Sequence, residues 1–279
     1  MTRGAPPGTP DGVPLAGLGD LAGGADLAGL AGLGAFFAVA AHDPRSPVTA
    51  PWLPLAELTG PGPVLRDRIA AVRSALAAAA GHGPHAVEFR VAASVTQLGI
   101  AARLICPALG LAVLAGAVPR VAAARWRPEL GGAFPLSLPA GRAWWPGAGR
   151  DAAGALAAGL GEHVIDGPVA AVTGTVAALS VSPAVLWGNV ASAVNGAASM
   201  IATARPGLAA RAQALSAALL RRPPLAGTHD GAPGAGFRRR SCCLIYRASP
   251  GSGPAFCGDC ILPGPGAAAA GAGSAGAAG

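Results

Sequence analysis

The chain has 279 residues, 52% of them hydrophobic and 12% charged, with a net charge of +7; that is enough apolar material for a substantial core in one large or two small domains. The charge is uneven, because eight Arg and two acids lie from Arg205 onward while residues 1–204 hold twelve Arg and eleven acids. No phosphate-binding glycine loop, paired-carboxylate spacing or nucleophile–base pattern stands out, and no secretory signal pattern opens the sequence, so the chemistry falls to the cysteines.

In chain order, residues 1–14 are Pro/Gly-rich and read as disordered, and 15–34 form an Ala/Leu/Gly stretch that holds at most one ragged helix. Phe36, Phe37 and Val39 begin the core. The pattern over 64–81 predicts an amphipathic helix with Val64, Ile69, Val72 and Leu76 as its apolar stripe and Arg66, Arg68 and Arg73 mostly off it. His82 and His85 flank a Gly-Pro turn and read as surface-loop histidines. The next segment, 87–104, starts as a strand around Val87–Val91 and continues as a helix that Cys106-Pro107 interrupts, with Cys106 a small buried hydrophobe.

Residues 119–150 carry five prolines together with Trp126, Trp144 and Trp145, and read as short strands and turns that join two parts of the body. From Gly167 through Ala204 there is no charged residue. The Ser, Thr and Asn residues scattered through this stretch favour two buried helices, about 168–180 and 183–203, over a membrane span, with Ser182-Pro183 starting the second. Asn189 and Asn195 lie on that second helix and need partners. A further helix over 206–221 stops at Arg221-Arg222-Pro223-Pro224, and a Gly-rich linker, 225–236, follows.

Four of the five cysteines then sit within FRRRSCCLIYRASPGSGPAFCGDCIL (237–262): the adjacent Cys242 and Cys243, and the C-x-x-C of Cys257 and Cys260, with thirteen residues between the pairs. Disulfide scaffolds are short and cysteine-dense, so that reading fits worst. Structural zinc sites prefer two C-x₂₋₄-C knuckles, and neighbouring side chains on an extended strand point to opposite faces. A two-iron cluster is wider than one ion, which favours iron–sulfur over zinc without deciding between them. Arg238, Arg239 and Arg240 precede the first pair; beside a cluster they favour its reduced, more negative form, and otherwise they are a basic run on a solvated loop.

The motif FRRRSCC…CGDC resembles the C-terminal segment of the FhuF-like ferric-siderophore reductase family, in particular its arginine-rich actinobacterial type. Similarity extends upstream through RVAASVTQLGIAARL (90–104), ARWRPELGGAFPL (124–136), LWGNVASAVNGAA (186–198) and RRPPLAGT (221–228), so it covers roughly residues 30–262. The gap between the cysteine pairs is longer than the family's usual one and carries RASPGSGPAF, which bears on potential more than on ligation. The resemblance implies a [2Fe-2S] cluster on Cys242, Cys243, Cys257 and Cys260, with Arg238 to Arg240 as candidates for redox tuning or for attracting an anionic chelate. It implies one-electron reduction of a ferric siderophore in the cytoplasm, peripheral attachment to the inner face of the cell membrane being an option. The electrons come from an external donor such as a ferredoxin or flavin reductase, and no nucleic acid is expected. A zinc-stabilised basic binding module, and a [2Fe-2S] electron carrier with another acceptor, are the alternatives.

The expected fold is mainly α with a few short strands (α+β), a helical body carrying a small C-terminal four-cysteine iron–sulfur module. Its divisions are a low-complexity N-terminus (1–30), the body (31–228, with a subdivision near 119–150 as an option), the module (229–262) and a disordered tail (263–279).

Overall fold

A computed structural model of the chain describes residues 25–60, 62–141, 143–144, 152–248 and 257–262. The expectations for residues 1–24, for most of the inserted loop between the cysteine pairs, for Trp145 and for the tail fall outside the described residues.

The chain opens with α1 (Ala25–Ala31), β1 (Ala40–His42), β2 (Leu53–Pro54), α2 (Val64–Ala79) and the long α3 (Phe89–Ala115). Four short strands follow, β3 (Val118–Pro119), β4 (Arg125–Trp126), β5 (Leu136–Pro139) and β6 (Ala143–Trp144). Then come α4 (Ala152–Leu160), a π-helical stretch Gly161–Val169, α5 (Ala170–Ala177), α6 (Pro183–Ala204), α7 (Ala209–Leu220), β7 (His229–Asp230) and β8 (Arg238–Arg239). One sheet has the order β1-β5-β4-β2, with β1 parallel to β5 and the other pairs antiparallel, while β3–β6 and β7–β8 form separate antiparallel ribbons. The architecture is mainly α with small sheets, as expected. Residues 118–144 supply strands and turns, of which β4 and β5 join the strands at 40–42 and 53–54 in a common sheet.

The expected amphipathic helix is α2, with one correction. Arg68 is buried, donating to the carbonyls of Glu129 and Gly131 and lying over the rings of Trp126 and Phe134. Its long stem covers apolar surface while the guanidinium finds carbonyls and ring faces, which periodicity cannot reveal. His82 and His85 are exposed. Trp126 is core packing, edge-on to Phe134.

Two further expectations fail at α3. No strand forms at Val87–Val91: a 3₁₀ turn, Pro84–Ala86, leads through extended Val87 and Glu88 directly into helix at Phe89. Nor does Cys106-Pro107 break the helix, which runs on to Ala115 and ends at Gly116, in the left-handed region with φ +68° and its N–H on the Ala112 carbonyl. Proline in a helix interior costs about 3 kcal/mol, yet the flanking residues Leu104, Ile105, Ala108, Leu109, Leu111, Ala112 and Val113 are all buried. Burying each large one contributes roughly 1.5–3 kcal/mol, so tertiary packing outweighs the lost backbone bond.

Arg103 on α3 is buried and binds the backbone carbonyls of Phe134 at 2.7 Å and Phe36 at 2.8 Å, and that of Ala38. One guanidinium thereby ties the segment before β1 and the segment before β5 to the central helix. Burial lowers its pKa to about 10, which still leaves it charged at neutral pH.

The helical run before α6 begins earlier than expected, at Ala152, and bends at Gly167-Pro168, where Gly167 leaves helical geometry (φ −91°, ψ −110°). Ser182-Pro183 does start α6, with Pro183 in its first turn. Helix α6 packs along α3, and α7 packs back on α6. Among the described residues, the helix long and apolar enough to cross a membrane is α3 (mean hydropathy 2.0), and most of that stretch is buried inside the protein.

Cys106 is fully buried, and burial pushes its thiol up to about 12 against the nearby positive charge of Arg103. The folded state therefore holds this proton more tightly than the unfolded state does. The corresponding stability is present below the ordinary value of 9.0 and is lost as pH rises from there toward about 12. Urea unfolding across that window is expected to show wild type losing stability relative to Cys106→Ala; parallel curves would contradict the assignment.

Candidate metal centre

The four-cysteine segment is docked by strand pairing, a side-chain anchor, apolar packing and an ion pair. The β7–β8 ribbon pairs His229 with Arg239 and Asp230 with Arg238, and the His229 ring stacks on Phe237 at 4.9 Å. The turn between them is anchored where the Gly234 N–H donates to Asn195 Oδ1 at 2.7 Å. On the far side a small apolar cluster of Ala77, Val87, Val91 and Ala248, flanked by Leu76, Leu244 and Ile245, seats the segment against α2 and the start of α3. Glu88 adds ion pairs to both Arg90 and Arg247.

Alternation along β8 and the residue after it gives the three consecutive arginines different fates. Arg239 points inward and is 1% exposed. Its Nη1 donates to Asn189 Oδ1 at 2.9 Å and its Nη2 to Cys257 Sγ at 2.5 Å, with the Asp259 carboxylate 3.4 Å away. Burial opposes its charge, but the Cys243 sulfur and the Asp259 carboxylate outweigh that and raise its pKa. Arg238 donates from Nη1 to the Cys260 carbonyl at 3.2 Å and so braces the C-x-x-C turn. Arg240 is exposed and engages Asp230 at 2.6 Å, making a solvated pair of the kind worth little.

The same strand aligns the C-x-x-C. The Arg239 N–H bonds the Asp259 carbonyl, and the Cys260 N–H closes back on the Cys257 carbonyl, each at 3.1 Å. Across from it, Cys243 and Cys257 bring their sulfurs to 3.7 Å. Two thiolates on one tetrahedral ion at ~2.3 Å stand ~3.8 Å apart, so this pair already has ligand spacing. The sulfur of Cys242 has a different partner, accepting the Leu244 N–H at 3.3 Å, and Leu244 adopts φ +71° to make that turn. Cys243 and Cys260 are buried, whereas Cys242 and Cys257 are half-buried. Among the described residues, no group of three or more His, Cys, Asp or Glu side chains closes onto a single point as a ready site for one ion.

The close sulfur pair is hydrogen-bonded. The hydrogen bond with Cys257, aided by Arg239, overcomes burial and holds Cys243 down to about 5, while the same bond and burial push Cys257 up. Burial also raises Cys242. The arrangement thus keeps negative charge on sulfur beside a buried cation, which is what a thiolate ligand set needs.

Sequence reasoning found the cysteines, the arginines and Asn189, but missed their supports. Ser94 Oγ on α3 donates to the Cys243 carbonyl at 2.9 Å, and Gln97 Nε2 donates to Thr173 Oγ1 at 3.0 Å. Ser94 and Gln97, three residues apart on one face of α3, interrupt an otherwise apolar stretch, and that was the available signal. Asp259, inside the C-x-x-C, is the carboxylate nearest to Arg239. A cavity of about 460 Å³ lined by His42, Asp43, Leu27 and Gly141 lies elsewhere. A neighbouring small pocket that shares Leu27, Ala41 and Ala140 with it reaches Leu111 of α3, roughly 25 Å along that helix from Ser94.

No known protein-family model matches the chain, and no curated protein matches it.

At Gly188 on α6 the cysteine segment packs tightly against the helix. A Cβ there would collide with Ser241 Oγ, which donates to the Ala184 carbonyl at 2.8 Å. Gly to Ala within a helix ordinarily stabilises by about 0.5–1 kcal/mol, and loss of the Ser241 bond costs about 1 kcal/mol. Gly188→Ala alone is therefore expected to leave stability near or below wild type, whereas in a Ser241→Ala background it should stabilise. A double-mutant cycle by denaturant unfolding reads the difference, and additive effects would contradict this packing.

Proposed function

We propose that the chain is an iron–sulfur protein that reduces ferric iron in siderophore complexes by one-electron transfer, with Cys242, Cys243, Cys257 and Cys260 as ligands of a [2Fe-2S] cluster. The observation that carries this reading is the buried Arg239 guanidinium fixed on the Cys257 sulfur, with Cys243 at ligand spacing from it. The donor set fits the group: four thiols, a cation that compensates thiolate charge, and a Cys242 sulfur with a different partner from its neighbour's, which suits a centre wider than one ion. When bound, the cluster supplies the one-electron step that converts siderophore-held Fe³⁺ to the weakly held Fe²⁺.

The protein's own residues do the rest. Cys243 and Cys260, buried, shield the ligand set, while half-buried Cys242 and Cys257 form its accessible edge. Arg238 keeps the C-x-x-C turn in place, and Arg239 stabilises added negative charge at sulfur. The siderophore as substrate rests on the resemblance of the motif and its upstream segments. The lack of a nucleotide-binding fingerprint in the sequence points to an external donor such as a ferredoxin or flavin reductase. Free cysteines suit a reducing cytoplasm.

A direct assay mixes dithionite-reduced, desalted protein with a ferric siderophore under argon and traps Fe²⁺ with a chromophoric ferrous chelator. The expected result is Fe²⁺ in proportion to protein, lost in Cys257→Ser and Cys243→Ser. A colourless protein holding one zinc and producing no Fe²⁺ would replace the reading with a zinc-stabilised basic module. A bleachable cluster that leaves the siderophore ferric would retain electron transfer and reject this acceptor.

A further inference from the structure

A chain of buried amides runs from the cysteines into the helical core, and its direction is fixed by one charge. A guanidinium has donors only, so the Asn189 atom facing Arg239 is the carbonyl oxygen, at 2.9 Å. The Asn189 amide nitrogen must then face away from the cation, where it meets Gln97 Oε1 and Ser94 Oγ at 3.1 Å and the Ser94 carbonyl at 3.2 Å. Gln97 in turn presents its amide to Thr173 Oγ1 at 3.0 Å. Ser94, Gln97, Thr173 and Asn189 are all buried, and unpaired polar groups there would be costly. Each amide therefore has one orientation, and α3, α5 and α6 all contribute to it.

We infer that Asn189 and Gln97 are positioning residues that hold the Arg239 fork on the Cys257 sulfur, and through it set the reduction potential of the centre the cysteines hold; this rests on the iron–sulfur reading above. The geometry explains why positioning is needed. Among the described residues the buried Arg239 Nε has no hydrogen-bond partner, and the Asp259 carboxylate lies only 3.4 Å from Nη2. Freed from Asn189, the guanidinium has a competing orientation that turns Nε toward an acceptor and Nη2 away from sulfur. Hydrogen bonds to cluster sulfurs and nearby positive charge stabilise the reduced form and raise the potential. Loosening the relay therefore lowers the potential, even from Gln97, which does not touch the cysteines.

The test compares Asn189→Leu and Gln97→Met with Thr96→Val, a near-isosteric change at a neighbouring buried residue of α3 whose hydroxyl has no hydrogen-bond partner among the described residues. Iron and sulfide are first counted in each protein, and the midpoint is then read by redox titration followed by electron paramagnetic resonance. At the wild-type midpoint, Asn189→Leu is expected to shift the oxidised-to-reduced ratio about tenfold toward oxidised, equivalent to ~59 mV for one electron. Gln97→Met should move it the same way by less, and Thr96→Val should leave it unchanged. Fully loaded Asn189→Leu and Gln97→Met proteins with the wild-type midpoint would overturn the relay alone. Should Asn189→Leu fail to assemble, Gln97→Met decides. Wild-type protein without iron would sink the proposed function before any variant is read, and the potential-setting role with it.

Discussion

The burial of one charge, the Arg239 guanidinium, constrains everything around the cysteines. Placing such a group out of water costs several kcal/mol unless its donors and its charge are matched. Here the match comes from three sources at once: the Asn189 carbonyl on α6, the Cys257 sulfur and the Asp259 carboxylate. None of these lies on β8 itself. The cation therefore fastens the C-terminal segment to the helical body and fixes where the C-x-x-C turn sits relative to Cys243. A hydrophobic side chain could fill the same volume, but it could not hold negative charge on sulfur.

Helix α3 is the frame on which this arrangement depends. Its first turns supply Ser94 and Gln97 to the cysteine end, and its middle supplies Arg103, whose carbonyl contacts gather Phe36, Ala38 and Phe134. Unbroken helix from Phe89 through Arg103 makes these parts of one rigid element. Helix α6 lies beside it with the same division of labour: Gly188 and Asn189 meet the cysteine segment, Asn195 holds the ribbon turn, and the intervening alanines and valines pack.

The parts of this structure that the sequence made legible are those with local signals. Ser182-Pro183 marks a helix start because proline suits a first turn, and the stripe over 64–81 marks α2 because burial follows helical period there. Features set by long-range packing were not legible. The β-branched Val87 and Val91 suggested a strand, yet they bury against Ala77 and Ala248 from a turn and a helix. Pro107 suggested a break, and a buried environment overrode it. Arg68 looked solvated until Trp126 and Phe134, more than fifty residues on, closed over it. At the candidate site the cysteines and arginines were visible as types, but the separate roles of Arg238, Arg239 and Arg240 needed the pairing of β7 with β8.

The central claim is that the thiols around Arg239 hold a two-iron cluster, and iron and acid-labile sulfide analysis of anaerobically purified protein, with its visible spectrum before and after dithionite, tests it most directly. The account predicts a red-brown protein with iron and sulfide in equal amounts, about two of each per chain for a [2Fe-2S] unit, bleaching on reduction. A colourless protein that binds one zinc, or that takes up no iron and sulfide even on reconstitution, would contradict it.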